Sequence, residues 1–153
     1  MLPAVQDYRR LRVHAYAHAL AVAVRAATRR FPPKGYASLK GQMTGAAESI
    51  SFNIVEGCGA DSQKDFARFL EIGVRSSMEL ENQLKLAKDY GILRTRDWES
   101  LSEATVDVRR MLCGLRKKVR ATFPSPTAGT EKRTTQKQST QDGNSNSEEL
   151  ASL

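Results

Sequence analysis

Cysteine and histidine are scarce, two of each in 153 residues. Cys58 and Cys113 form no Cys-x-x-Cys pair, and no Cys/His cluster has zinc-ligand spacing, so neither a structural zinc nor a disulfide framework is expected. No serine or cysteine is patterned beside a histidine and an orienting carboxylate, which argues against nucleophilic catalysis. The chain is therefore read as non-enzymatic, with no cofactor. Aromatics make up only 7% of the residues and do not interleave with the basic ones as a base-stacking platform would. No segment alternates with period two, so no sheet is expected. The glycines at Gly57-Cys58-Gly59 consequently follow no strand and make no phosphate loop. Long apolar runs are missing as well. The most apolar stretch, Ala15 to Ala27, is too short and too alanine-rich to span a bilayer. With no basic-then-apolar leader pattern, a reduced cytoplasmic protein without a membrane partner is expected.

What the sequence does have is basic charge. Lysine and arginine number 24 against 17 acidic residues, a net charge of +7. From Pro124 onward, fifteen of thirty positions are Ser, Thr, Gln or Asn, and Leu150 and Leu153 are the only large apolar side chains. Such a stretch buries too little apolar area to offset its ordering entropy, so residues 124–153 are expected to be a disordered polar tail. That tail holds three basic and four acidic residues, which leaves +8 on residues 1–123. A basic folded domain favours an anionic partner.

Four segments carry apolar or small residues at alternating steps of four and three, the period of helices packed side by side. The first runs Val13, Ala17, Leu20, Val24, Ala27, Phe31 and stops at Pro32-Pro33. The second runs Leu39, Met43, Ala46, Ile50, Ile54, Gly57, and ends at Gly57 and Gly59. The third runs Phe66, Leu70, Gly73, Ser77, Leu80, Leu84, Ala87, with Asp61 or Ser62 as its cap. The fourth runs Trp98, Leu101, Thr105, Val108, Leu112, Leu115, Val119 and starts near Thr95 or Asp97. With short connections, the pattern predicts an all-α, antiparallel up-down-up-down four-helix bundle over residues 1–123.

Two features exceed what a monomeric bundle needs. Phe52 and Val55 point about 160° and 140° away from the Ile50/Ile54 face at 100° per residue. They are either a self-association surface or stray exposed apolar residues. Ser49, Asn53 and Glu56 on the second helix, with Ser76, Glu79 and Gln83 on the third, form a polar band bordering the core. The band reads as a hydrogen-bonded network that fixes register, or as a paired-carboxylate site on Glu56 and Glu79. A metal site in a bundle would add a histidine to such glutamates, and none is near them, which favours the network.

The basic residues cluster on flanks. Arg109, Arg116 and Arg120 share one flank of the fourth helix, with Arg110 and Lys117 outside it. His14, His18, Arg25 and Arg29 share a stripe on the first. Arginine's forked donors suit phosphate, so these residues are candidates for backbone contacts to nucleic acid; a solvated charged face is the alternative. His14 and His18 also have the spacing of a metal pair, but two ligands without a third make no site.

The run Ser49-Ile50-Ser51-Phe52-Asn53-Ile54-Val55-Glu56-Gly57 resembles the "SI..NI.EG" signature of the 23S rRNA intervening-sequence protein family. Phe31-Pro32, Tyr36, Leu39 and Gln42 fit the same pattern, as do Asp65-Phe66, Phe69-Leu70, Ser76, Glu79-Leu80 and Gln83-Leu84. The resemblance spans about residues 8–122. It implies a bacterial, non-enzymatic four-helix bundle that assembles into a ring-shaped homo-oligomer, often a homopentamer. It also implies kinship with the accessory variability protein of diversity-generating retroelements, which binds a reverse transcriptase and nucleic acid. Ser49, Asn53, Glu56 and Glu79 match signature positions. Where the family often has Arg after the Gln of the second helix, this chain has Gln42-Met43-Thr44-Gly45, which removes charge from that surface. The expected function is binding of RNA or other nucleic acid through backbone phosphates. The alternatives are an adaptor for a reverse transcriptase and a purely structural oligomer.

Overall fold

The computed structural model describes residues 6–123; the tail expected from residue 124 lies outside them. A 3₁₀ turn at Tyr8–Arg10 precedes four α-helices: α1 (Arg12–Thr28), α2 (Ala37–Cys58), α3 (Gln63–Asp89) and α4 (Thr95–Arg120). The described residues contain no strand. Each helix packs on its two chain neighbours, and α4 closes back onto α1, while the diagonal pairs do not meet. This is the up-down-up-down bundle the heptad series predicts.

The connections explain themselves locally. Pro32 and Pro33 cannot continue α1, and Gly35 turns the chain at φ +92°. Ser62 caps α3 by accepting from the backbone N–H of Asp65 at 3.1 Å, and Asp65 itself sits in the positively polarised first turn. At the other end of α3, Gly91 takes φ +77°, its N–H donates to the carbonyl of Lys88, and the N–H of Ile92 donates to that of Ala87. This is a Schellman closure, which requires a residue free to adopt positive φ.

The core is one cluster formed by all four helices. Met43, Ile50, Ile54, Leu70, Leu80, Leu84 and Leu112 are among its largest fully buried members. The α1 stripe differs from expectation at one position. Ala27 is half-buried, whereas Thr28 is fully buried with its hydroxyl donating to the Arg25 carbonyl at 3.1 Å. A straight helix drifts relative to a strict heptad, so after Val24 the buried row takes another step of four. Ser77 and Thr105 likewise satisfy their buried hydroxyls on carbonyls of their own helices, those of Val74 and Leu101.

A close approach between α2 and α3 lies at the end of the signature run. A Cβ on Gly57 would sit 2.7 Å from Cδ2 of Phe66 and 3.1 Å from Cβ of Phe69. Gly57 therefore lets the last turn of α2 lie against the first turns of α3. That contact fixes the α2–α3 hairpin, which carries most of the polar band.

Candidate nucleic-acid interface

The polar band resolves into two separate groups rather than one network. Ser49 and Ser76 join α2 to α3 through their hydroxyls at 2.9 Å. The Asn53 amide donates to the Ser49 carbonyl at 2.7 Å and to its hydroxyl at 3.1 Å. Within the next two turns of α3, the Gln83 amide donates to the Glu79 carboxylate at 3.2 Å, while the Gln83 carbonyl oxygen is buried without a partner among the described residues. Glu56 is exposed and joins neither group. The Ser49–Ser76 contact sets the antiparallel register and puts Glu79 level with Ala46, ten residues from Glu56. At 1.5 Å per residue that is about 15 Å, so the paired-carboxylate reading fails on geometry. The Ser49–Asn53–Ser76 seam fixes register instead. Asn53→Ala is expected to lower the unfolding free energy by about 1 kcal/mol, since it removes the half-buried amide's bonds to the Ser49 carbonyl and hydroxyl. A denaturant midpoint equal to that of the parent would show that the seam contributes nothing.

Of the arginines that share a flank of α4, Arg109 and Arg120 are engaged by neighbouring acids. Arg109 is largely covered, its side chain 23% exposed, and it donates to Glu81 of α3. Arg120 pairs with Glu71 of α3 at 3.7 Å, and Arg110 with Asp107 of its own helix at 3.8 Å. Arg116 is half-buried. The flank shared by Arg109 and Arg120 turns toward α3, and these two act first as tethers between helices. Lys117 remains outward and exposed.

A denser basic surface lies at one end of the bundle. Antiparallel packing brings the start of α1 beside the end of α4, and Leu11, Arg12 and Val13 share a groove with Met111, Gly114, Leu115 and Lys118. Arg12 and Lys118 are exposed at this groove, as are Arg10 and Lys117 close to them in sequence, and none of the four forms an ion pair among the described residues. Aromatics are interleaved after all. The Arg12 guanidinium lies 5.3 Å from the Tyr16 ring centroid and donates to its hydroxyl at 3.1 Å, which holds the arginine's proton more firmly than usual. Arg9 lies 5.3 Å from the Tyr8 ring centroid. Tyr8 meets His14 edge-on at 4.8 Å between centroids, and burial, followed by the neighbouring His18, pushes the His14 pKa down. Arg9, Arg10, Arg12 and Lys118 are absent from the sequence-level candidates. The signal was an arginine-rich run before α1 and a lysine pair ending α4, meaningful only once the topology sets them side by side.

The other candidates lie along α1 and α2. Arg25 and Arg29 are exposed along the α1 side of a groove of about 480 Å³ that Ala21, Val22 and Phe52 also line, with Glu48 facing it from α2. Phe52 is 61% exposed and Val22 59%, whereas Val55 is half-buried. Beside that groove, the outer face of α1 is Ala15, Ala19, Val22, Ala23 and Ala26, all exposed and none charged. A helix apolar on its outer as well as its inner face has the composition of a covered helix. Among the described residues, no group of three or more His, Cys, Asp or Glu could hold a metal ion, and no helix is long and apolar enough to cross a membrane.

A family model described as 23S rRNA-intervening sequence protein matches residues 9–114. Among solved structures, a protein of unknown function from the S23 ribosomal protein family of Bacteroides thetaiotaomicron superposes with a TM-score of 0.65 at 22% identity. The superposition covers 69% of this chain and 98% of that one, and it shows a shared fold. No curated protein matches the sequence.

Proposed function

This chain belongs to the 23S rRNA-intervening sequence protein family, and we propose that it is a non-catalytic, self-assembling bundle that binds RNA through backbone phosphates. The observation that carries this reading is the basic end of the bundle. Arg12 and Lys118 meet at one groove from the two ends of the folded chain, with the exposed Arg10 and Lys117 near them in sequence, and none of the four has an acidic partner among the described residues. Exposed cations left unpaired at one place repel one another, and a polyanion relieves that repulsion while releasing its own counterions. Arg25 and Arg29, at the opposite end of α1, offer a second and smaller basic area. Lysine footprinting tests the reading. Bound RNA is expected to protect Lys117 and Lys118 from acetylation while leaving Lys64 and Lys85 as reactive as before. Equal reactivity of all four lysines with and without RNA would refute it.

Self-association rests on the uncharged outer face of α1 together with Phe52. The assembly that suits a family member is a ring-shaped homo-oligomer, with five subunits as the number the resemblance implies. Phe52→Asp is expected to reduce the assembly to a smaller species, because it puts a charge into a surface that would lose its water on association. Light scattering that returns the parent mass would remove Phe52 from the subunit contact. The same apolar face also suits the adaptor reading, in which a reverse transcriptase takes the place of a second copy. A pull-down that recovers such an enzyme with parent protein but not with Phe52→Asp would favour the adaptor.

A further inference from the structure

The groove between α1 and α4 at the basic end differs from an ordinary charged surface. Its floor is apolar, built by Leu11, Met111 and Leu115, and its rim carries Arg12 and Lys118. It encloses about 330 Å³, and no acidic side chain lines it. One turn along α1, Tyr16 stands 43% exposed with the Arg12 guanidinium against its ring. Duplex RNA presents phosphates and sugars but keeps its base faces stacked, so it has nothing to put on an apolar floor. A single strand has both a phosphate chain and free base faces. Methionine and leucine side chains accept a planar base by dispersion, and the Arg12 guanidinium, held beside Tyr16 by its hydrogen bond to the phenol oxygen, offers a base a further planar surface.

We propose that this groove takes an unstacked base of a single-stranded RNA, with the phosphates flanking that base held by Arg12 and Lys118. The proposal rests on the RNA-binding reading and narrows it: the ligand is single-stranded, and the contact extends beyond the backbone. The occupant follows from charge and shape together. Two cations at the rim and no acid call for an anion, and an apolar floor calls for a flat uncharged surface attached to that anion.

Gly114 makes the idea testable without disturbing the fold. It lines the groove, and a Cβ placed on it would meet nothing within 4 Å. Leucine at this position favours the helix and projects its side chain into the groove. Binding of a fluorescein-labelled, unstructured single-stranded RNA and of a duplex of the same sequence would be followed by anisotropy, with the full chain and with Gly114→Leu. The expected result is about tenfold weaker binding of the single strand by Gly114→Leu, the scale of one stacked base, with duplex affinity unchanged. Gly114→Ala, which leaves most of the groove open, is expected to bind the single strand within about twofold of the parent. Equal single-strand affinity of Gly114→Leu and the parent would overturn the groove proposal while leaving phosphate binding standing. An equal loss on single strand and duplex would overturn it too, because the groove would then read only backbone. Parent protein that binds neither RNA would overturn the RNA-binding reading itself.

Discussion

Gly57→Val is expected to lower the unfolding free energy by about 3 kcal/mol, at the upper end of what overpacking a core costs, and to lower Tm by roughly 10 °C. The reason is spatial. Even a bare Cβ at this position would lie 2.7 Å from the Phe66 ring, and valine adds two methyl groups in the same place. Phe66 is itself 2% exposed and packed within the core, so it has little room to turn away. Relief would need α2 and α3 to separate at this end, which would also loosen the Ser49–Ser76 bond farther along the same pair. Gly45→Ala is the matching control. A Cβ there meets nothing, and exchanging glycine for alanine inside an exposed helix stabilises by up to ~1 kcal/mol. The two glycines lie on one helix, yet their substitutions are expected to change stability in opposite directions. Thermal melts that move both the same way would show that the close approach at Gly57 is not what holds the hairpin.

The second large effect concerns binding. The triple variant Arg12→Glu, Lys117→Glu, Lys118→Glu is expected to weaken RNA binding at least about a hundredfold, since each charge-assisted phosphate contact contributes roughly a factor of ten. All three side chains are exposed and free of ion pairs among the described residues, so the protein should stay folded, its melting temperature lowered only by the few degrees that two glutamates in the last turn of α4 cost against the helix dipole. Arg109→Leu is expected to do the reverse. It leaves Glu81 without its partner across the α3–α4 contact and so costs stability, while RNA affinity stays close to that of the parent. Together the two variants separate a binding arginine from a tethering one. An Arg109→Leu protein that loses RNA binding at full stability would return the site to the flank of α4.

That contrast also shows what could be read from the sequence. Burial alternating at four and three places is a property of each helix alone, so all four helices and the main core row of each were legible, whereas Ala47, Cys58, Ala67, Val74 and Leu93, buried beside those rows, were not. Thr28 was missed because a strict heptad does not carry the drift of a straight helix, which becomes visible only at the last turn of α1. The tethering role of Arg109 and Arg120 was not legible because a helical wheel shows which residues share a flank but not what that flank faces. Their partners were present in the sequence: Arg109 and Arg120 are eleven residues apart, and Glu81 and Glu71 on the antiparallel neighbour ten apart. The basic end was hidden for a related reason. Arg12 and Lys118 lie at opposite ends of the folded chain and become neighbours only when α4 closes onto α1. Glu56 and Glu79, by contrast, looked close because both border the core, and the register set by Ser49 and Ser76 separates them.

The most direct test of the account is the salt dependence of RNA affinity for the unaltered protein, measured by anisotropy between about 50 and 200 mM salt. Contacts from Arg10, Arg12, Lys117 and Lys118 predict that log affinity falls linearly with log salt, with a slope of roughly −3 on a single strand, and that the triple variant reduces the steepness of the slope by about two units. An affinity that does not change with salt, or a triple variant with the slope of the parent, would contradict the claim that this end of the bundle is built to hold a polyanion.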